Sequence, residues 1–86
     1  LQIDFEARPE ALAGVRKRVG KALARARVEP ELRYQLVLAV DEACSNIIRH
    51  AYRGPCDARI ELAMSREGRE LRFELRDFAP CVDPAR

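Results

Sequence analysis

The chain of 86 residues contains no tryptophan, one histidine and one methionine, and only 6% of its residues are aromatic. A single histidine excludes a metal cluster built on imidazole ligands. The three cysteines, Cys44, Cys56 and Cys81, form no CxxC pair and lie far apart, which excludes a zinc site of the usual spacing. Each cysteine is therefore interpreted as a small buried or half-buried hydrophobic residue, and a reducing, cytoplasmic compartment is expected.

Long apolar runs and glycine-rich phosphate loops are also missing. No run approaches the roughly 20 apolar residues of a membrane span, and no signal-peptide pattern opens the chain, so no membrane association is expected. The stretch "GVRKRVGKA" fails as a P-loop, because five residues separate Gly14 from Gly20 and Ala22 stands where serine or threonine is needed. The net charge of +2 is too small to indicate direct binding of nucleic acid.

The composition is typical of one small globular domain, which is expected to span residues 1–86. Hydrophobic residues make up 48% and charged residues 35%. Apolar and polar residues alternate over 1–7, which predicts a half-buried strand. Helical periodicity predicts helices over 9–27 and 30–53, and two alternating segments around Gly68, 58–64 and 71–77, predict a hairpin. The expected fold class is α/β (α+β), a two-layer sandwich with a mixed or antiparallel sheet and helices on one face.

The two helices differ in their surfaces. Both have an apolar face, and the polar face of the first is strongly basic. Such a row of cations is typical of a solvated helix face, and a binding patch is the alternative. The apolar residues are Leu12, Val15, Val19, Ala22, Leu23 and Ala26 in the first helix and Leu36, Val40, Ala43, Ile47 and Ala51 in the second, and the cations are Arg16, Lys17, Arg18, Lys21, Arg25 and Arg27.

A polar stripe follows the end of the second helix. At about 100° per residue, Glu42, Asn46, Arg49 and Arg53 share one stripe away from the apolar face, with His50 at its shoulder. A carboxylate, an amide oxygen and cations on one ridge suit a hydrated Mg²⁺ and a polyphosphate. The alternative is a solvated face with side-chain pairs three or four residues apart and a histidine near a helix C-terminus.

A second carboxylate, Asp77, lies where the last predicted strand ends. It is followed by Phe78, Ala79 and Pro80, which end a strand rather than extend it. A carboxylate beside small residues can accept a hydrogen bond from an amino group such as adenine N6. The alternative is an aspartate that caps a turn.

Together these segments, "DEACSNIIRHAYRG" and, after the hairpin turn, "LRFELRDFAPCVDP", resemble the bacterial anti-sigma-factor serine/threonine kinases of the Bergerat-fold (GHKL) ATPases. The most specific part is E-A-x-x-N-x-x-x-H-A-Y, from Glu42 to Tyr52. The resemblance implies a histidine-kinase-like ATPase fold that binds ATP and Mg²⁺. It implies that Glu42 is the general base toward a serine and that Asn46 ligates Mg²⁺. It also implies that further residues contact the nucleotide, namely Arg49, His50, Arg53, Asp77, Ala79 and Val82.

The same resemblance implies partners. Members of the family form homodimers, sequester a sigma factor and phosphorylate an anti-anti-sigma protein of the STAS type. Two departures from the family pattern are present. Ala79 stands where a glycine is usual, and the family's second glycine box and lid would lie beyond Arg86. Either the chain is a truncated or incompletely ordered version, or the protein cannot enclose ATP. The alternative is a non-catalytic anti-sigma or adaptor module with a degenerate nucleotide site.

Overall fold

The computed structural model describes residues 1–51 and 58–78, and for residues 51 and 78 it describes the backbone only. Three strands and two helices follow one another in the predicted order. A 3₁₀ turn precedes the first helix, and a π-helical segment continues the second. The elements are β1 (Gln2–Glu6), the 3₁₀ turn (Pro9–Ala11), α1 (Leu12–Arg25), α2 (Pro30–Asn46), the π-helical segment (Ile47–Ala51), β2 (Arg59–Glu67) and β3 (Glu70–Phe78).

The described strands form one antiparallel sheet in the order β1-β2-β3. Side chains that oppose one another across the sheet form rows on its two faces. One row on the helix-facing side joins Phe5, Ile60 and Asp77. The two-residue turn at Gly68 has a positive φ only at the glycine, as in a type II′ hairpin. The predicted hairpin and its turn are confirmed.

Both helices pack on the same face of the sheet, and the predicted α+β class with helices on one side is confirmed. In β1 and in the first half of β2, every second residue is buried under the helices. Asp4, Glu6 and Arg59 on the other face of the sheet are exposed. Burial of apolar area is the main force that holds these two layers together. The buried cluster consists of Ile3, Phe5, Ala7, Leu12, Val15, Val19, Leu23, Val40, Cys44, Ile48, Ile60 and Leu62.

The C-terminus of α1 ends in a Schellman motif that lacks the usual glycine. Arg27 takes φ 62°, its N–H donates to the Ala24 carbonyl at 3.0 Å, and the Val28 N–H donates to the Leu23 carbonyl at 3.0 Å. The guanidinium of Arg66 in β2 donates to the carbonyl of Ala26. These bonds satisfy carbonyls that the helix end leaves unpaired, and the helix stops two residues before the predicted end at 27.

The second helix differs from its prediction in two ways. Regular α-helix ends at Asn46 and continues as the π-helical segment, instead of running unbroken to 53. Its buried residues are Val40, Cys44 and Ile48. Three residues predicted for the apolar face are only half-buried, namely Leu36, Ala43 and Ile47. The apolar residues of this helix cover a wide arc, so periodicity alone could not fix its rotation. No helix in the described residues is long and apolar enough to cross a membrane.

Candidate functional site

Three polar residues at the end of α2 form one exposed cluster. The Arg49 guanidinium donates a hydrogen bond to Asn46 Oδ1 at 2.8 Å. The same Nη2 atom lies 3.8 Å from Glu42 Oε1. The side chains of Arg49 and Glu42 are 61% and 70% exposed, so a ligand can reach both. The predicted stripe is confirmed as a physical cluster for Glu42, Asn46 and Arg49.

This cluster faces solvent because the opposite side of the same helix is buried in the core. Cys44, which lies between Glu42 and Asn46 in the sequence, is completely buried, and Ile48 is 2% exposed. Burial, with a smaller contribution from the Asp41 carboxylate, raises the pKa of the Cys44 thiol to about 11. The thiol is therefore neutral at physiological pH and serves as a packing residue rather than as a nucleophile or metal ligand.

Arg49 of the cluster and the neighbouring His50 lie at the carboxyl end of the helix. Arg49 and His50 both belong to the π-helical segment, in the last turn. Positive charge is favourable at this end, where the unpaired carbonyls create a negative potential. Both side chains are exposed, which leaves them accessible to an anionic group.

A depression of about 240 Å³ adjoins the cluster on the side of α1. Glu42 and Arg49 form its polar wall, and Leu12 and Ile48 contribute apolar surface; Pro9 and Ser45 complete the lining. Its volume is below the roughly 300–1,000 Å³ of typical small-molecule pockets. The depression is large enough to receive one side chain of a docked protein.

Asp77 lies at the end of β3 on the helix-facing side of the sheet. Its strand partner is the buried Ile60, and its own side chain is exposed. Two residues earlier on the same face, Leu75 contributes to an apolar groove of about 240 Å³ between α2 and β3. The carboxylate thus stands near one end of an apolar surface, an arrangement that can recognise the amino edge of a flat ring.

The structure also reveals a contact that the sequence pattern did not indicate. Arg16 of α1 forms an ion pair with Asp41 of α2, the residue immediately before Glu42.

The other predicted residues have different positions. The structure brings Glu42, Asn46 and Arg49 into contact, while Asp77 lies on another element. The described residues contain no group of three His, Cys, Asp or Glu side chains able to hold a metal ion. Mg²⁺ does not require such a group, since it usually takes one or two protein oxygens together with phosphate oxygens and water. Arg53, Ala79 and Val82 lie outside the described residues.

A comparison with known protein families identifies the type of domain. The model of the histidine kinase-like ATPase domain matches residues 5–86 of the 86-residue chain. The chain belongs to the histidine kinase-like ATPase family. No curated protein matches it as a relative. The α+β arrangement of two helices and a three-stranded antiparallel sheet agrees with part of that fold.

Histidine kinase-like ATPase domains of the GHKL type bind ATP, usually with Mg²⁺. The residues present here fit that pair of ligands. Asn46 Oδ1 is a hard oxygen atom of the kind that Mg²⁺ prefers, and the Glu42 carboxylate lies in the same cluster. Arg49 supplies a guanidinium, whose planar fork suits phosphate oxygens. At this level, use of ATP by the domain follows from its family.

Proposed function

We propose that this histidine kinase-like ATPase domain belongs to an anti-sigma factor with serine/threonine protein kinase activity. In this proposal the protein acts in the cytoplasm as a homodimer, sequesters a sigma factor, and phosphorylates an anti-anti-sigma protein of the STAS type. The observation that carries the kinase assignment is the exposed cluster in which Arg49 contacts both Asn46 and Glu42.

Each residue of the cluster has a chemical task in the proposed reaction. When bound, Mg-ATP supplies the phosphoryl group. Glu42, with a largely exposed carboxylate, accepts the proton of the substrate serine hydroxyl. Asn46 Oδ1 contributes one oxygen ligand to Mg²⁺. Asp77, at the end of β3, accepts a hydrogen bond from the adenine amino group.

Arg49 links nucleotide binding to the state of the other two residues. Without ligand its guanidinium donates to Asn46 Oδ1, the atom proposed to bind Mg²⁺. A cation and a guanidinium cannot share that oxygen favourably, because both carry positive charge. Arg49 therefore releases Asn46 when the metal binds, and its guanidinium becomes available to phosphate oxygens. His50, exposed in the same π-helical segment, is proposed as a second contact to the phosphates, and Arg53, proposed for the same role, lies outside the described residues.

The depression beside Glu42 supports a protein as the phosphate acceptor. Its wall contains the proposed base and its floor contains apolar side chains from both helices. A serine placed at this depression would have its hydroxyl group beside the Glu42 carboxylate. A protein substrate thus has a surface to occupy that does not overlap the apolar groove along β3.

A second candidate is a non-catalytic anti-sigma or adaptor module with a degenerate nucleotide site. The alanine at position 79, where the family pattern has glycine, favours it. A binding module has no need of a base, so conversion of Glu42 to glutamine would leave its partner binding unchanged.

A phosphotransfer assay with a STAS-domain partner and labelled Mg-ATP separates the two candidates. We expect transfer by the native protein, and a loss of at least about 100-fold in Glu42→Gln, within the usual range for loss of a general base. Glu74→Gln, which changes an exposed carboxylate on the outer face of β3, is the matched control and retains activity. A thermal shift with Mg-ATP but no transfer would indicate the adaptor, and the absence of both would refute the nucleotide site.

A further inference from the structure

The exposed face of α1 concentrates positive charge that the rest of the described chain does not balance. Helix α1 contains five lysine or arginine residues and no aspartate or glutamate. One of them, Arg16, pairs with Asp41. Within residues 1–51 and 58–78, no ion pair or side-chain hydrogen bond engages the others on this face or the adjoining Arg27. These unpaired cations are Lys17, Arg18, Lys21, Arg25 and Arg27.

Two other exposed cations of the described residues each have a side-chain partner. Arg59 donates to Asp4 Oδ1 at 2.8 Å, and this bond raises the pKa of the Arg59 guanidinium. Arg49 contacts Asn46 and Glu42. The α1 face and its end therefore gather five cations without a partner among the described residues, whereas Arg59 and Arg49 each have one.

The spacing of these cations makes them repel one another. Lys17 and Lys21 are four residues apart, as are Lys21 and Arg25, and like charges at this spacing destabilise a helix. Only Arg25 and Arg27 gain from the negative potential of the helix C-terminus. An anionic partner on this face would relieve the repulsion without any change in the fold.

Three of the cations surround a surface groove. Arg18, Lys21 and Arg25 form its polar wall, with Ala22 and Leu1 beneath them, and its volume is about 240 Å³. Leu1 is 40% exposed and is tied to β2 by reciprocal backbone bonds with Met64 of 3.0 and 2.8 Å. The groove thus offers three cationic side chains around a small apolar floor that the sheet holds in place.

We propose that this groove is a docking site for an acidic segment of another protein. Carboxylates of the segment pair with Arg18, Lys21 and Arg25, and an aliphatic side chain between them covers Leu1 and Ala22. The surface lies on α1 and does not include Glu42, Asn46 or Arg49, so the proposal is independent of ATP binding and of kinase activity.

Two other anionic partners fit the surface less well. The apolar residues of α1, Leu12, Val15, Val19 and Leu23, are buried against the sheet, so this helix has no free apolar face to insert into a membrane. A nucleic acid is favoured by a strongly basic domain, whereas the net charge here is +2. Acidic side chains with an aliphatic neighbour match both the charge and the floor of the groove.

Fluorescence anisotropy tests the proposal without ATP. The probe is a fluorescein-labelled peptide of eight residues that alternate glutamate and leucine, and its partner peptide has glutamine in place of each glutamate. The variant Arg18→Glu/Arg25→Glu reverses two charges of the groove. The matched control, Arg69→Glu/Arg72→Glu, makes the same change in net charge on exposed residues of the β2–β3 hairpin. Circular dichroism checks that both variants retain the fold.

We expect the glutamate peptide to bind the native protein, with an affinity that falls as NaCl rises. The affinity should drop by at least about tenfold in Arg18→Glu/Arg25→Glu and stay within about twofold of native in the hairpin control. Equal losses in both variants, or equal binding of the glutamine peptide, would overturn the proposal. Tighter binding of a 20-nucleotide single-stranded DNA or of phosphatidylserine vesicles, lost in the same groove variant, would also overturn it.

Discussion

Arg16 of α1 and Asp41 of α2 are joined by an ion pair in which Arg16 Nη1 lies 2.8 Å from Asp41 Oδ1. The pair connects the two helices one residue before Glu42. The side chain of Asp41 is 25% exposed, and the side chain of Arg16 is 43% exposed. The contact therefore restrains how α2 is rotated against α1, and with it the direction of the Glu42 side chain.

Loss of this ion pair should cost little stability. We expect Asp41→Asn and Arg16→Met each to lower the free energy of unfolding, with a coupling energy of about 0.5 kcal/mol in a double-mutant cycle, because one partner is well solvated. Urea denaturation measures it. A coupling near zero would show that the pair does not hold the helices. Lys17→Met, at the exposed neighbouring cation, is the control and should leave stability within about 0.5 kcal/mol of native.

Asn46 should carry the dependence of nucleotide binding on Mg²⁺. We expect Asn46→Ala to reduce the gain in ATP affinity that Mg²⁺ provides by at least about tenfold, because an oxygen ligand is removed. Calorimetric titrations of ATP with Mg²⁺ and with a chelator give this ratio. Gln35→Ala removes another exposed amide from α2 and should leave the ratio unchanged. A full Mg²⁺ effect in Asn46→Ala would remove this residue from the metal site.

Asp77 should determine the preference for adenine over guanine. The carboxylate accepts a hydrogen bond from the adenine amino group, whereas guanine has a carbonyl at the equivalent position. We expect Asp77→Asn to weaken ATP binding about tenfold and to narrow the difference between ATP and GTP, since an amide can donate to that carbonyl. Competition binding with both nucleotides measures the change. Glu74→Gln on the same strand should alter neither affinity, and an unchanged ATP/GTP ratio in Asp77→Asn would contradict the role.

Arg27 offers a direct test of the α1 terminus. Its φ of 62° is unfavourable for a residue with a Cβ atom and natural for glycine. We expect Arg27→Gly to stabilise the protein by about 0.5–1 kcal/mol, and Ala24→Gly, inside α1, to destabilise it by about 1 kcal/mol. Chemical denaturation separates the two. Destabilisation by Arg27→Gly would show that the arginine side chain contributes more than the backbone strain costs.

Cys44 should make stability fall at alkaline pH. Its pKa is raised to about 11 in the folded protein, above the ordinary 9.0. Between these values the unfolded chain loses the thiol proton and the folded chain keeps it, so the unfolded state gains stability as pH rises. The expected loss from pH 8 to pH 11 is roughly 1–3 kcal/mol. The difference in unfolding free energy between the native protein and Cys44→Ala, followed across that range, isolates this residue.

A pH-independent difference between the two proteins would contradict the burial of the thiol. The comparison with Cys44→Ala is required because Cys56 and Cys81 also ionise in the unfolded chain. Both proteins contain these residues, so their contribution cancels.

The order of the elements could be predicted from the sequence because each segment carries one clear signal. Alternation in the strands, helical spacing in α1, Pro30 at the start of α2 and Gly68 in the hairpin all indicate the structure observed. The rotation of α2 could not be predicted, because it packs against both α1 and the sheet and its apolar arc is wide. Burial of Cys44 instead of Ala43 is the result of that choice.

The candidate site could also be predicted only in part from the sequence. Spacing on a helix placed Glu42, Asn46 and Arg49 on one stripe, and the structure brings them into contact. Spacing could not show that Arg49 contacts both residues at once, since this depends on the conformation of a long side chain. The Arg16–Asp41 pair depends on how two helices are packed, which no pattern within one helix contains.

The π-helical segment Ile47–Ala51 has a consequence for the length of α2. A π-helical turn spans one residue more than an α-helical turn, since its hydrogen bonds join residues five apart instead of four. Deleting one residue there would let the chain close as a regular α-helix, whereas a deletion inside Pro30–Asn46 would shift every later side chain by about 100°. The segment is thus the place where α2 can change length while Val40 and Cys44 stay in the core and Glu42 stays outside.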